Sequence, residues 1–240
     1  VMLDNWSFDP TFDQFMDRDL VGITEAYKCL KAYIPANHTR KSLADWNAAK
    51  LFDTASRFLQ DNKRRDNFFL WVDCFDPHEP WDAPPEYVRM YDKADGSDGT
   101  IDPRVFPMER LEPDLCADHI DRINAHYATK VTFMDSRLER FLETLAETGL
   151  DRKTAVILTA DHGTNIGDGH YSRFGKGASP LQNEAHVPLM ISMPGGGTGR
   201  SNAIVQPQDL FATILEIAGI PVPTDEIDGV GLLDTARDGG

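Results

Sequence analysis

Cysteine, basic charge and long apolar runs are all scarce in this 240-residue sequence. Its three cysteines, Cys29, Cys74 and Cys116, are too few and too scattered for a disulfide framework or a thiolate zinc site. Lys and Arg number 24 against 39 Asp and Glu, a formal charge of −15. That balance argues against a nucleic-acid partner, because binding a phosphate backbone needs basic patches. No apolar run approaches the roughly 20 residues needed to cross a bilayer. The sequence opens at Val1 without the basic, apolar and small-residue succession of a signal peptide. Neither that start nor the cysteines fixes a compartment. The remaining composition, 41% hydrophobic and 26% charged, is that of a globular chain long enough to bury one sizeable core.

Residues 1–41 are rich in aromatics and aspartate without a clear period, and read as irregular structure with short helical pieces. Ser42 with Asp45 three residues on resembles a capping box. Leu43, Trp46, Ala49, Leu51, Phe52, Ala55, Phe58 and Leu59 then recur at helical spacing, up to the basic run Lys63-Arg64-Arg65. Phe68-Phe69-Leu70-Trp71-Val72 reads as a strand buried on both faces, ending in a proline-punctuated polar loop through Pro85. Residues 92–115, rich in Gly, Asp and Pro, read as a loop excursion. Ile120, Ile123, Tyr127, Val131, Met134, Leu138, Phe141 and Leu145 mark one long amphipathic helix, with Gly149 placed for a left-handed cap. Residues 154–160 and 187–193 are two further apolar strands, and a helix runs from Pro207 to Ala218 with Gly219 just past its end. Apolar strands alternating with helices predict one α/β domain over residues 1–240, a mainly parallel sheet sandwiched by helices.

Ligands of such sheets bind beyond the carboxyl ends of the strands. The strand 154–160 ends directly in Asp161-His162-Gly163. A carboxylate and an imidazole there can ligate one cation. Alternatively, Asp161 caps the next turn and His162 bonds a loop carbonyl; the dipeptide alone supports both readings. His78 stands between Pro77 and Pro80 just past the strand 68–72, where prolines fix the backbone for a positional or a purely structural purpose. Lys176 follows a glycine-rich loop that returns towards the strand ends. Taken together, metal ligands, an imidazole and an ammonium would neutralise and polarise a tetrahedral oxyanion, as sulfuryl or phosphoryl transfer requires.

Several stretches, in order over about residues 68–233, resemble the sulfatase family of the alkaline phosphatase superfamily. They are Pro77-His78-Glu79-Pro80-Trp81, the helix from Ala125 past Asp135, Thr159-Ala160-Asp161-His162-Gly163, Gly175-Lys176, Val187-Pro188-Leu189 and Asp209 to Ile220. The resemblance implies an alkaline-phosphatase-like fold, incomplete on its N-terminal side, and hydrolysis of a small-molecule sulfate ester at a divalent cation, most often calcium. Asp161 and His162 match the downstream pair of metal ligands. Many relatives carry Asn in the second place, and imidazole leaves manganese or another cation open, because calcium prefers oxygen. His78 and Lys176 match groups that touch a sulfate oxygen or the leaving group. Phosphonate monoester and phosphodiester hydrolases share all four positions, and a non-catalytic sulfatase-fold binding module is a third reading.

The departures matter as much. The family nucleophile, a Cys or Ser in C/S-x-P/A-S-R, becomes formylglycine. Cys29, Cys74 and Cys116 are followed by Leu30, Phe75 and Ala117, and none heads that motif. The upstream acidic metal pair and the usual C-terminal subdomain have no counterpart either. The expectation is a middle-to-late portion of a sulfatase-like enzyme, with formylglycine supplied upstream and no turnover by this chain alone. Many relatives are exported; location and oligomeric state stay open.

Overall fold

A computed structural model describes residues 2–4, 40–78, 81, 83–92, 117–167, 174–175 and 181–233. In chain order the elements are β1 (Met2–Asp4), α1 (Asn47–Asn62), β2 (Trp71–Asp73), α2 (Pro85–Tyr91), α3 (Ala117–Glu147), β3 (Val156–Thr159), β4 (Asn165–Ile166), β5 (Phe174–Gly175), α4 (Gln182–Ala185), β6 (Leu189–Ser192) and α5 (Asp209–Ile217). Strand β1 pairs with β2 in parallel, whereas β3 pairs with β6 and β4 with β5 in antiparallel register. Helices interleaved with short strand pairs give the expected α/β class. Most of the expected excursion, residues 93–115, lies outside the described residues.

The chain divides into two compact units. The first comprises Val1–Leu150 and Gly163–His186. Helix α1 buries Ala48, Ala49, Leu51, Phe52, Ala55 and Leu59, a stripe at helical spacing. Small Ala48 and Ala49 pack with the fully buried Phe133 of α3, and Trp46 and Tyr87 meet the same ring edge-on at 6.2 and 5.2 Å. Burying side chains such as Phe133, Leu51 and Leu59 stabilises the fold by about 1.5–3 kcal/mol each. The capping box is present: Asp45 accepts from the N–H of Lys41 and Ser42 and from the Ser42 hydroxyl. It opens a single 3-10 turn, Leu43–Asp45, and α1 starts afresh after extended Trp46.

Helix α3 is the long helix expected, and it stops where Gly149 turns to φ 71° and donates to the Ala146 carbonyl. Its buried face includes Ile123, Phe141 and Leu145 of the apolar period and departs from it elsewhere. His126, Thr129, Lys130, Phe133 and Arg137 are buried, while Tyr127, Val131, Met134 and Leu138 are only half-buried. The polar members can be buried because each has a partner: Thr129 donates to the Ala125 carbonyl, Arg137 donates to the Ser136 and Tyr87 hydroxyls, and His126 and Lys130 meet the groups described below.

The strand expected over 68–72 is shorter and shifted to Trp71–Asp73, and it is not buried on both faces: Phe69 and Trp71 are exposed. Residues 1–41, expected to be irregular, contribute strand β1, and Pro84-Pro85, expected to be loop, opens α2 with a proline at its first position.

The second unit comprises Asp151–His162 and Val187–Gly240. Its helix α5 ends in a Schellman motif: Gly219 at φ 68° donates to Glu216, and Ile220 donates to Leu215. At the other end, the buried Asp209 carboxylate accepts from the N–H groups of Gln206 and Val230 at 2.7 and 3.0 Å. One turn on, the Thr213 hydroxyl donates to the Asp209 carbonyl and accepts from the Leu232 N–H.

Candidate active site

His78 sits on the turn Phe75–His78, closed by its own N–H donating to the Phe75 carbonyl at 2.9 Å, with a cis Asp76–Pro77 bond at its centre. The imidazole stacks on the Phe75 ring, centroids 4.1 Å apart and planes 21° from parallel. The turn is fastened at two points. The buried Asp76 carboxylate meets Lys130 Nζ on α3 at 2.7 Å. The Pro77 carbonyl accepts from Trp81 Nε1 at 3.1 Å. Trp81 is itself buried, edge-on to Tyr127 at 5.8 Å and packed on Ile123.

The segment stays attached to α3 further on. His126 Nδ1 lies 3.4 Å from the Trp81 carbonyl, and its Nε2 lies 3.1 Å from Asp92 Oδ2. Arg122 Nε reaches the same carboxylate oxygen at 3.0 Å. Arg122, His126 and Lys130 follow at four-residue spacing, so they share one stripe of the helix. That stripe holds the segment from Asp76 to Asp92 at both ends. These groups carry no signal in a search for apolar periodicity, since polar side chains read as solvent-facing. Their four-residue recurrence along the helix was the available clue.

In the second unit, β3 runs out into Asp161 and His162. The His162 N–H donates to Asp161 Oδ1 at 2.8 Å, and His162 Nε2 lies 3.6 Å from Asp161 Oδ2. The carboxylate is 86% exposed and the imidazole 41%. Two donors at metal distances of about 2.0–2.3 Å span roughly that separation at an open angle, so the pair fits one cation. One oxygen and one nitrogen donor suit a borderline divalent ion as well as a hard one. Among the described residues no group of three or more His, Cys, Asp or Glu could hold a metal.

Gly163, which follows in the first unit, donates its N–H to the Glu184 carbonyl at 2.8 Å. The Glu184 side chain, buried, accepts from Asn165 Nδ2. Asn165 in turn faces Gly175 across the β4–β5 pair. Lys176, the next residue, lies outside the described residues, as do Cys29 and Cys116. Cys74 is half-buried against the Ala48, Ala49 and Phe133 cluster. The structure therefore brings Asp161 and His162 together, and it places His78 on an anchored turn of the other unit.

The sulfatase family model matches residues 2–220, nearly the whole chain. This chain belongs to the sulfatase family. Within the family it is 29% identical over 191 residues to an arylsulfatase of Clostridium perfringens, covering 74% of this chain and 39% of that protein. It is 27% identical over 221 residues to arylsulfatase K of Xenopus laevis, covering 81% and 40%. A solved phosphonate monoester hydrolase of Agrobacterium radiobacter superposes with a TM-score of 0.67 at 25% identity, covering 83% of this chain and 44% of that one. The sulfatase chain thus spans about two-fifths of the length of these curated relatives. The alkaline-phosphatase-like fold and the resemblance to sulfuric ester hydrolases both stand on these matches.

Proposed function

We propose that this chain supplies part of the active site of a metal-dependent hydrolase that splits a small-molecule sulfate ester into an alcohol and sulfate. The observation that supports it is the Asp161–His162 pair, 3.6 Å apart beyond the end of β3 in a sulfatase chain. Asp161 and His162 would hold the divalent cation, calcium by family habit, with manganese admitted by the imidazole. Bound there, a cation supplies Lewis-acid polarisation of a sulfate oxygen. His78, oriented by its turn, donates a hydrogen bond to the ester oxygen and gives the departing alkoxide its proton. Lys176 adds a positive charge beside the same oxygens. No cysteine of this chain heads the C/S-x-P/A-S-R motif. The formylglycine nucleophile is accordingly assigned to a segment outside these 240 residues, and the 240 residues alone are expected to turn over no ester.

The test uses the native product purified from its source, assayed on an aryl sulfate and an aryl phosphonate ester with calcium or manganese. Sulfate ester hydrolysis that Asp161→Ala abolishes supports the proposal. A native product that cleaves neither ester overturns it and leaves a sulfatase-fold binding module. Preferential cleavage of the phosphonate favours the second reading, a phosphonate monoester hydrolase, which the superposition on the Agrobacterium radiobacter enzyme supports.

A further inference from the structure

We propose that Lys130 is a positioning residue for His78, acting through its ion pair with Asp76. The inference rests on the role given to His78 in the proposed function. Lys130 Nζ and Asp76 Oδ1 are 2.7 Å apart, and their side chains are 4% and 6% exposed. Lys130 is therefore too enclosed to touch a substrate and acts only through what it holds. What it holds is the second residue of the turn Phe75–His78, two positions before the imidazole.

A buried ion pair is a poor way to stabilise a core, because desolvation offsets most of its attraction and apolar side chains of similar size do as well. It differs from an apolar contact in being directional: a carboxylate bound to an ammonium has one place to be. Lys130 is borne on a 31-residue helix that packs against α1 and α2, so that place is fixed relative to a stiff element. At the residue after Asp76, Trp81 Nε1 holds the Pro77 carbonyl. The backbone entering His78 is thus fastened at two successive residues, and the ring lies flat on Phe75 at 4.1 Å. Proton delivery to a leaving oxygen depends on placement of this kind, and misplacement by about 1 Å costs on the order of a hundredfold in rate.

The experiment is made in the native product that carries the proposed nucleophile, and compares it with its Lys130→Met variant, which leaves Asp76 buried without the ammonium, and with the double variant Asp76→Leu/Lys130→Met, which removes both charges. Two readouts are taken: the His78 ring resonances in histidine-labelled protein, and kcat and KM on the sulfate ester. Stacking on Phe75 shifts the native His78 ring protons upfield. In the double variant a melting temperature near wild type is expected, with the His78 resonances moved to those of an unstacked imidazole. With them kcat falls about ten- to a hundredfold at little change in KM. Native His78 resonances and native kcat in the double variant overturn the inference and reduce the pair to packing. If the double variant does not fold, Asp76→Asn replaces it, since it keeps one acceptor for Nζ; an intermediate resonance shift supports the inference and none overturns it. His78→Gln separates the two readings. Unchanged kcat in that variant removes the catalytic role of His78, while the resonances still decide whether Lys130 holds the turn.

Discussion

Gly163 lies so close to the backbone of Asn183 that a β-carbon there would collide with the Asn183 carbonyl oxygen. The Gly163 N–H donates to the neighbouring Glu184 carbonyl at 2.8 Å, so Gly163 lies directly against α4 within the first unit. The atoms in the way, the carbonyl oxygen and carbon of Asn183, are backbone, and neither can swing aside. Gly163→Ala is expected to destabilise the first unit by about 1–3 kcal/mol, the usual cost of forcing atoms into filled space. The denaturant midpoint measures it, and a midpoint equal to wild type would show that this close approach does not exist in solution.

As a ligand of the proposed site, His162 would set the preference among cations. Replacing imidazole nitrogen by an amide oxygen turns the pair into two oxygen donors, which suit calcium better than manganese. His162→Asn is therefore expected to raise the ratio of calcium to manganese affinity by roughly tenfold or more, the scale on which even outer-shell partners tune a site. Titration calorimetry of both ions on native and variant protein reads this ratio directly. An unchanged ratio would remove His162 from the ligand set.

Asp45 gives the entry to α1 a dependence on acid. Hydrogen bonds from the backbone N–H of Lys41 and then of Ser42, with a smaller share from the Ser42 hydroxyl, hold its carboxyl below the ordinary carboxylate value. The folded state thus favours the charged form. The associated stability is complete above the unfolded carboxylate value and is lost as pH falls through the lowered folded one. Asp45→Asn should make stability less steep against pH on the acid side, with no change near neutrality in that slope. Carboxyl carbon titration of Asp45 by NMR checks the direction, and a midpoint at or above the ordinary value would contradict it.

The long helix α3 was plain in the sequence because its apolar residues repeat over eight positions, and Gly149 marked its end. Which face it buries was not. Hydropathy places Lys130 and His126 in water, and only the tertiary partners Asp76 and Asp92 make their burial tolerable. Short strands fared worse for a related reason. Met2–Asp4 is three residues long and carries no period, and the apolar Phe68-Phe69 signal pulled the neighbouring strand away from its true span at Trp71–Asp73. Proline at the head of α2 is a start signal that a run of prolines disguised as a loop.

For the site, Asp161-His162 was legible because both side chains leave a recognisable strand at consecutive positions, and the structure sets them side by side. His78 was legible as a residue but not as a placement. The turn that carries it is fixed by Lys130 and Trp81, 52 and 3 residues further along. One sequence window cannot contain both.

The Asp209 carboxylate, receiving the Val230 N–H, closes a loop of chain on itself, and Thr213 repeats the closure at Leu232. Residues 229–232 therefore function as the outer seam of helix α5 rather than as a tail. Anyone trimming the protein for expression gains nothing by cutting before Leu232. A cut before Val230 would take one partner each from the buried Asp209 carboxylate and the buried Thr213 hydroxyl, leaving them only the Gln206 N–H and the Asp209 carbonyl.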